Sequence, residues 1–372
     1  MTDADADATE PDAPPQPDVP QLLLDLLCAH GPSGYETDPA AVWLQAARTF
    51  AEVSSDVLGT PLARVAARHG AATPPRRLLV MGHIDEIGLI VTHIDDDGYL
   101  WFAPVGGWDA QILVGQRVAL ATRGGAVKGV VGKKPIHLLR EEERKKVAEI
   151  RELHIDIGAA DGEQAREHVR IGDVAVIDAD PVTLLGGRRL VSRALDNRIG
   201  SFVAQQAARL VAEAGGGAWE VNAVAVAQEE ITFGGSRTST FSLAPDAAIV
   251  IDVTHATDAP GIEIKELGKH PLGSGPVLTR GSTIHPRLFE LLYDTGTEEG
   301  IPFTVEASAR ATGTDADAVH LTRAGVPTAL VSIPLRYMHS PVELVQLDDV
   351  HAAARLIAAA ALRLDGDQVF TR

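Results

Sequence analysis

The second half of the chain alternates strand and helix patterns, and this rhythm constrains the fold more than any other feature. After Gly186-Gly187 the pattern predicts a helix over 197–214, a strand over 221–227 and a short helix behind Gly235. A strand at 247–253, a helix at 286–294 and a strand at 304–306 follow. A helix over 314–324, a strand over 327–333 and an Ala-rich helix over 347–364 complete the series. Strands that alternate with helices pack as an α/β sheet with helices on its faces. An earlier apolar run, Arg76-Arg-Leu-Leu-Val-Met-Gly-His83-Ile-Asp85-Glu86, reads as a buried strand of the same sheet. Before it come helices at 22–28 and 39–51 and a strand near Val57.

From about residue 89 to 181 the texture changes. Short apolar runs alternate with Gly and Asp turns, which reads as a β-rich barrel or twisted sheet, with one charged helix near 140–152 and a closing strand at 173–178. The expected fold is therefore α/β, a mixed sheet flanked by helices, with a small β-rich barrel inserted. The expected divisions are an acidic disordered tail at 1–19, a catalytic domain at 20–88 and 184–372, and the insert at 89–183. A chain of 372 residues exceeds what one ordinary core organises.

Composition narrows the partners. A net charge of -18 disfavours nucleic acid and anionic membranes, and 4% aromatic residues argue against a base-stacking platform. No uninterrupted apolar run is long enough to span a bilayer, and the first 20 residues lack the pattern of a signal peptide. The single cysteine, Cys28, allows no disulfide within the chain and reads as a core residue. Together these point to the cytoplasm.

The polar residues that carry chemistry fall at the ends of predicted elements. Side chains alternate along a strand, so His83 and Asp85 share a side. That geometry suits a pair that both face a metal, or an Asp85 that orients a metal-ligating His83 from behind; a hydrogen-bonded surface pair is the competing role. Asp196 precedes a helix, where an N-cap is the competing role. Glu229 and Glu230 end one strand, Asp252 another, and His339 follows a third. Crevices form where such ends meet. Two histidines and three carboxylates are the donor set for two divalent ions that share one carboxylate, and nitrogen and oxygen ligands suit Zn, Co or Mn. Glu229 is then free to act as a general base on a metal-activated water. There is no Gly-x-Ser-x-Gly elbow, Walker loop, Gly-x-Gly-x-x-Gly or His-Glu-x-x-His. A glycosidase reading could use the Glu229–Glu230 pair but leaves two histidines and two carboxylates without a purpose.

The ordered motifs resemble the TET-type (tetrahedral) glutamyl/leucyl aminopeptidase family of co-catalytic di-metal metallopeptidases. They include Gly31-Pro-Ser-Gly-Tyr-Glu36, Gly82-His-Ile-Asp-Glu-Ile-Gly88, Lys134-Pro-Ile-His-Leu-Leu139 and His154-Ile-Asp-Ile-Gly-Ala159. Arg193-Ala-Leu-Asp-Asn-Arg198, Gln228-Glu-Glu230, Asp252-Val-Thr-His-Ala256, Gly313-Thr-Asp-Ala316 and Arg336-Tyr-Met-His-Ser-Pro-Val-Glu343 continue the match.

The resemblance implies an aminopeptidase that removes N-terminal residues from peptides. His83 and Asp252 would hold one metal, Glu230 and His339 the other, and Asp196 would bridge them. Glu229 would be the base, and Asp85 would orient His83. Asp315 matches a position near the substrate. Apart from the resemblance, His255 follows Asp252 closely enough to lie near the site, with a packed or hydrogen-bonded histidine as the competing role. The insert is similar to the family's dimerisation domain, and members commonly form dodecamers built from dimers. Where the family usually carries Val-Gly-Leu-Arg-Gly, this chain has Ile231-Thr-Phe233-Gly-Gly235. That loop borders the first side-chain pocket and lacks a basic residue, which points to neutral, apolar N-terminal side chains. The remaining singled-out histidines, 93, 137, 154, 168, 270, 285 and 320, read as structural or surface residues.

Overall fold

The computed structural model describes residues 19–68 and 70–371. The expected acidic tail therefore lies, apart from Val19, outside the described residues. An antiparallel pair, β1 (Glu52–Ser55) and β2 (Pro61–Val65), starts one edge of the main sheet, and β3 (Arg77–His83) enters its centre. Six strands then close a barrel: β4 (Gly88–Ile94), β5 (Leu100–Val105), β6 (Arg117–Thr122), β7 (Gly125–Gly132), β8 (His154–Asp156) and β9 (Val174–Ile177). Strand β9 pairs with both β4 and β6 and so closes it. A small sheet begins with β10 (Val182–Thr183) and β11 (Arg189–Ser192). The main sheet resumes with β12 (Glu220–Val226), β13 (Ala247–His255), β14 (Val277–Gly281), β15 (Thr304–Ser308) and β16 (Thr328–Leu335); β17 (Glu343–Gln346) completes the small sheet.

The main sheet is mixed, in the order β1-β2-β12-β3-β13-β16-β14-β15. Its centre, β12-β3-β13-β16, is parallel. Nearly every residue of these four strands is buried, as expected where helices cover both faces of parallel strands. Helix Leu195–Glu213 crosses β3 so closely that a Cβ on Gly82 would stand 2.4 Å from the Gly200 carbonyl carbon, so only glycine fits there. The barrel has its own core around Leu89, Leu100, Val118, Leu120 and Ile155.

Four local expectations need correction. Cys28 is exposed, because Leu23, Leu26 and Leu27 form the buried stripe of helix Gln21–Cys28 and position 28 falls off it. Val57 lies in the β1–β2 turn and is 96% exposed, with strands on either side of it. The charged helix at 140–152 reduces to a single turn, Glu141–Arg144, and a 3-10 turn, Ile150–Glu152. The first turn carries only charged residues, while Ala148 and Ile150 beyond it pack against the barrel core. The helix expected over 314–324 is only Ala316–Val319; the Asp317 carboxylate accepts the Thr312 and Gly313 amides and shapes the turn that leads into it.

Candidate metal centre

The C-terminal ends of β3, β12, β13 and β16 meet at one crevice. His83 closes β3, and Glu229 and Glu230 open a one-turn helix just after β12. Asp252 sits within β13, and His339 lies in the loop after β16. Asp196 enters from the start of helix Leu195–Glu213. Its carboxylate stands between the two histidines: Oδ1 lies 3.1 Å from His83 Nε2, and Oδ2 lies 3.4 Å from His339 Nε2. His83 Nε2 is also 3.8 Å from Glu229 Oε2 and 4.0 Å from Asp252 Oδ1, and His339 Nε2 is 3.4 Å from Glu230 Oε1.

Both imidazoles are held from behind. His83 Nδ1 donates to the Asp85 carbonyl oxygen at 3.2 Å and lies 3.4 Å from Asp85 Oδ1. His339 Nδ1 donates to the Gly107 carbonyl at 2.9 Å. A carbonyl only accepts, so each ring carries a proton on Nδ1 there and turns Nε2 to Asp196. Asp85 is fully buried; its Oδ1 accepts from the Glu229 amide and its Oδ2 from the Glu230 amide, each at 3.1 Å.

The Leu195-Asp-Asn-Arg198 (LDNR) motif divides its labour. Asp196 faces the crevice. Asn197 donates to the Ile251 carbonyl at 2.8 Å, which fastens the helix start to β13. Arg198, fully buried, reaches Glu86 at 2.8 Å and the Ile84 and Leu26 carbonyls. Glu86 also pairs with Arg193 and accepts the Gly31 amide. These cations outweigh burial and hold the Glu86 carboxyl below its usual range. Five of the seven non-glycine residues with positive φ among the described residues flank the crevice: Ala194, Gln228, Phe233, Tyr337 and His339. Such conformations cost about 1–3 kcal/mol each and persist where surrounding structure enforces them, often at working sites.

Electrostatically the centre is crowded with negative charge. Burial, together with the Asp252, Asp315 and Glu230 charges, pushes Glu229 up to about 10. Burial also raises Asp252 and Glu230, and the charge of nearby Asp196 adds to each. Burial alone would depress His83, but the Glu229 charge and the Asp196 and Asp85 carboxylates reverse this and hold it well above the histidine range. Hydrogen bonds to Asp196 and Glu230 lift His339 to about 11. Cations relieve this repulsion, and the donors fit them. His83, Asp196 and Asp252 form one group of three ligand atoms within 4.8 Å of one another, and Asp196, Glu230 and His339 form another, with Asp196 common to both.

The crevice holds about 420 Å³ and is lined, beyond these residues, by Phe233, Val253, Thr254, His255, Thr312, Gly313, Thr314 and Met338. Of the four substrate-contact candidates, His255 and Phe233 line it. Ile231 is 49% exposed and outside that lining. Asp315 is buried beside Thr314, with no hydrogen-bond partner on Oδ1 among the described residues, and its charge acts on Glu229 and Asp252. The seven histidines assigned to structural or surface places do not line the crevice.

Residues 63–356 match the M42 glutamyl aminopeptidase family. The chain belongs to that family. It is a metal-dependent peptide hydrolase of TET type. The enzyme is 35% identical over 343 residues to the lysyl aminopeptidase of Pyrococcus furiosus, a match that covers 91% of this chain and 95% of that one. Its fold superposes with a TM-score of 0.86 on a TET aminopeptidase from a marine-sediment Thaumarchaeota archaeon, at 36% identity, covering 92% and 96% of the two chains. On the TET1 peptidase of Pyrococcus horikoshii, which can assemble into a tetrahedron or a large octahedral shell, the TM-score is 0.80 at 30% identity, covering 92% and 99%. Among the enzyme's described residues no helix is long and apolar enough to cross a membrane.

Two groups in the centre escaped the reading of residues alone. Glu343 sits four residues after His339 in a motif of the chain, and that spacing was an available signal. Gly107 comes from the barrel, and nothing local marks it.

Proposed function

We propose that the enzyme removes N-terminal residues from peptides with two divalent ions. His83 and Asp252 would hold one, Glu230 and His339 would hold the other, and Asp196 belongs to both ligand groups. The observation that carries this reading is the Asp196 carboxylate between two Nε2 atoms, 3.1 Å and 3.4 Å away. When bound, such ions polarise a carbonyl and bring the pKa of water from about 16 toward 7. Glu229, on the crevice wall, takes the proton of the attacking water. It delivers that proton to the departing amine nitrogen as the C–N bond breaks. Its raised pKa in the metal-free centre falls once positive charge is present, which brings it into the range of a base at neutral pH. Asp85 fixes the His83 ring and the Glu229 and Glu230 amides, so that ligand and base are set together. Zn, Co or Mn suits the nitrogen and oxygen donors.

The crevice supports neutral, apolar N-terminal side chains. Phe233, Val253 and Met338 supply apolar wall and three threonines supply uncharged polarity. The lining has no Lys or Arg for an acidic side chain, and its only carboxylates are the proposed ligands and base. Names among relatives do not choose: the family is described as glutamyl and one relative as lysyl. Self-association through the barrel into a dodecamer, in the cytoplasm, completes the reading. The TET1 shells support it by analogy, and the single cysteine suits a reducing compartment.

A panel of aminoacyl-anilides tests it. Leu and Met substrates should exceed Glu and Lys substrates by about tenfold or more in kcat/KM, a chelator should abolish turnover, and added Zn, Co or Mn should restore it. Best turnover on a charged residue would overturn the pocket assignment; efficient cleavage of N-blocked peptides would overturn the aminopeptidase reading.

A further inference from the structure

We infer that Glu343 is a positioning residue that sets the spacing between Asp196 and His339. The inference rests on the di-metal reading above. Glu343 is 2% exposed, and each of its oxygens is taken by the backbone of a proposed ligand. Oε2 accepts from the Asp196 amide at 3.0 Å, and Oε1 accepts from the His339 amide at 2.9 Å.

The fold delivers this contact by two routes. Strand β17 starts at Glu343 and pairs with β11, with Ser192 opposite Glu343, and β11 runs on through Arg193 and Ala194 into Asp196. The loop that carries His339 is closed at its base by mutual backbone bonds between Arg336 and Leu344, 3.0 Å each. Inside that loop Tyr337 and His339 hold φ of 60° and 58°, a conformation that side chains rarely adopt unless their surroundings impose it. The bond from the His339 amide to Glu343 helps to impose it. One side chain thus fastens both the shared carboxylate and the more exposed imidazole.

The two ion positions differ in what else holds them. His83 is backed by Asp85, which also holds the Glu230 amide, and Asn197 ties the Asp196 segment to β13 beside Asp252. The backing of His339 is a single carbonyl, Gly107, besides Glu343. Loss of Glu343 should therefore weaken the ion held by Glu230 and His339 more than the ion held by His83 and Asp252.

Titration of the full chain with Co²⁺, followed by calorimetry and visible absorption, separates the two binding steps. Glu343→Gln keeps one oxygen acceptor but turns an amide N–H₂ to the other donor. It should weaken the second step about tenfold, and Glu343→Ala about a hundredfold, with the first step changed far less. Circular dichroism checks that each variant folds; should Glu343→Ala fail, Glu343→Gln carries the test. Asp349→Asn is the control. Asp349 is likewise a buried carboxylate that accepts two backbone amides, Gly273 at 2.8 Å and Gly275 at 2.7 Å, but away from the crevice. It should leave both steps as in the wild type. Wild-type affinity for both ions in folded Glu343→Gln would overturn the inference, as would equal loss in Asp349→Asn. A wild-type chain that binds fewer than two Co²⁺ would instead overturn the di-metal reading, and this inference with it.

Discussion

Asp85 grips the backbone of Glu229: its Oδ1 accepts the Glu229 amide at 3.1 Å while the same oxygen lies 3.4 Å from His83 Nδ1. One fully buried carboxylate therefore aligns the proposed base with the proposed ligand. Asp85→Asn presents an amide nitrogen to one of these donors. It should lower metal affinity and kcat about 10- to 100-fold while the chain stays folded. Metal titration and steady-state kinetics check this, and unchanged values for both would show that Asp85 positions neither group.

Glu229→Gln separates proton transfer from metal binding. The variant should retain its ions and lose about 100- to 10,000-fold in kcat, the range expected when a general base is removed. Elemental analysis alongside turnover measures both. Turnover near the wild-type rate would remove Glu229 from the proton-transfer role.

Asp196→Ala should abolish both ion sites, because its carboxylate belongs to both ligand groups. Ions that bind only the folded chain stabilise it, by about 2.7 kcal/mol at a hundred times Kd. Added Zn should therefore raise the melting temperature of the wild type and leave that of the variant unchanged. A melting temperature that rises equally in both would argue for ions bound elsewhere.

Glu36 gives a pH dependence whose sign follows from its burial. Burial first, and the Asp85 charge second, raise its pKa from 4.5 to about 7. The folded chain thus holds this proton more tightly than the unfolded chain does. The stability it contributes is fully present below pH 4.5 and is lost as pH rises through about 7. Glu36→Gln keeps the oxygen that accepts the Gly34 and Gln228 amides and has no proton to lose. In the chelator-treated protein the variant should gain stability over the wild type between pH 5 and 8, on the order of 2–3 kcal/mol by pH 8. Denaturant unfolding at several pH values measures it, and a gain that shrinks with rising pH would contradict the sign.

Much of the fold was legible because the buried strands β3, β12, β13 and β16 are nearly continuous apolar runs between turn signals. A parallel sheet covered on both faces leaves that mark in a sequence. Gly82 and the LDNR motif were visible as residues, but their purposes were not. That Gly82 admits Gly200, or that Arg198 reaches Glu86 and the first helix, depends on which elements cross. Helix bounds depart from local propensity where the all-charged run Glu141 to Lys146 gives a helix nothing to pack with and where Asp317 takes up the Thr312 and Gly313 amides ahead of its helix.

By itself the sequence determined the alternation of strand and helix, the β-rich texture of the insert and the residue types available for a metal centre, all of which follow from local periodicity and side-chain chemistry. Tertiary structure alone decided that Asp196 stands between two histidines that lie 113 residues before it and 143 after it. It also decided that the barrel lends Gly107 to His339, and that Glu343 fastens both ends of the centre. Spacing along a chain does not encode distances of 3 Å between elements; these arise only when the sheet is assembled and its helices and barrel are packed against it.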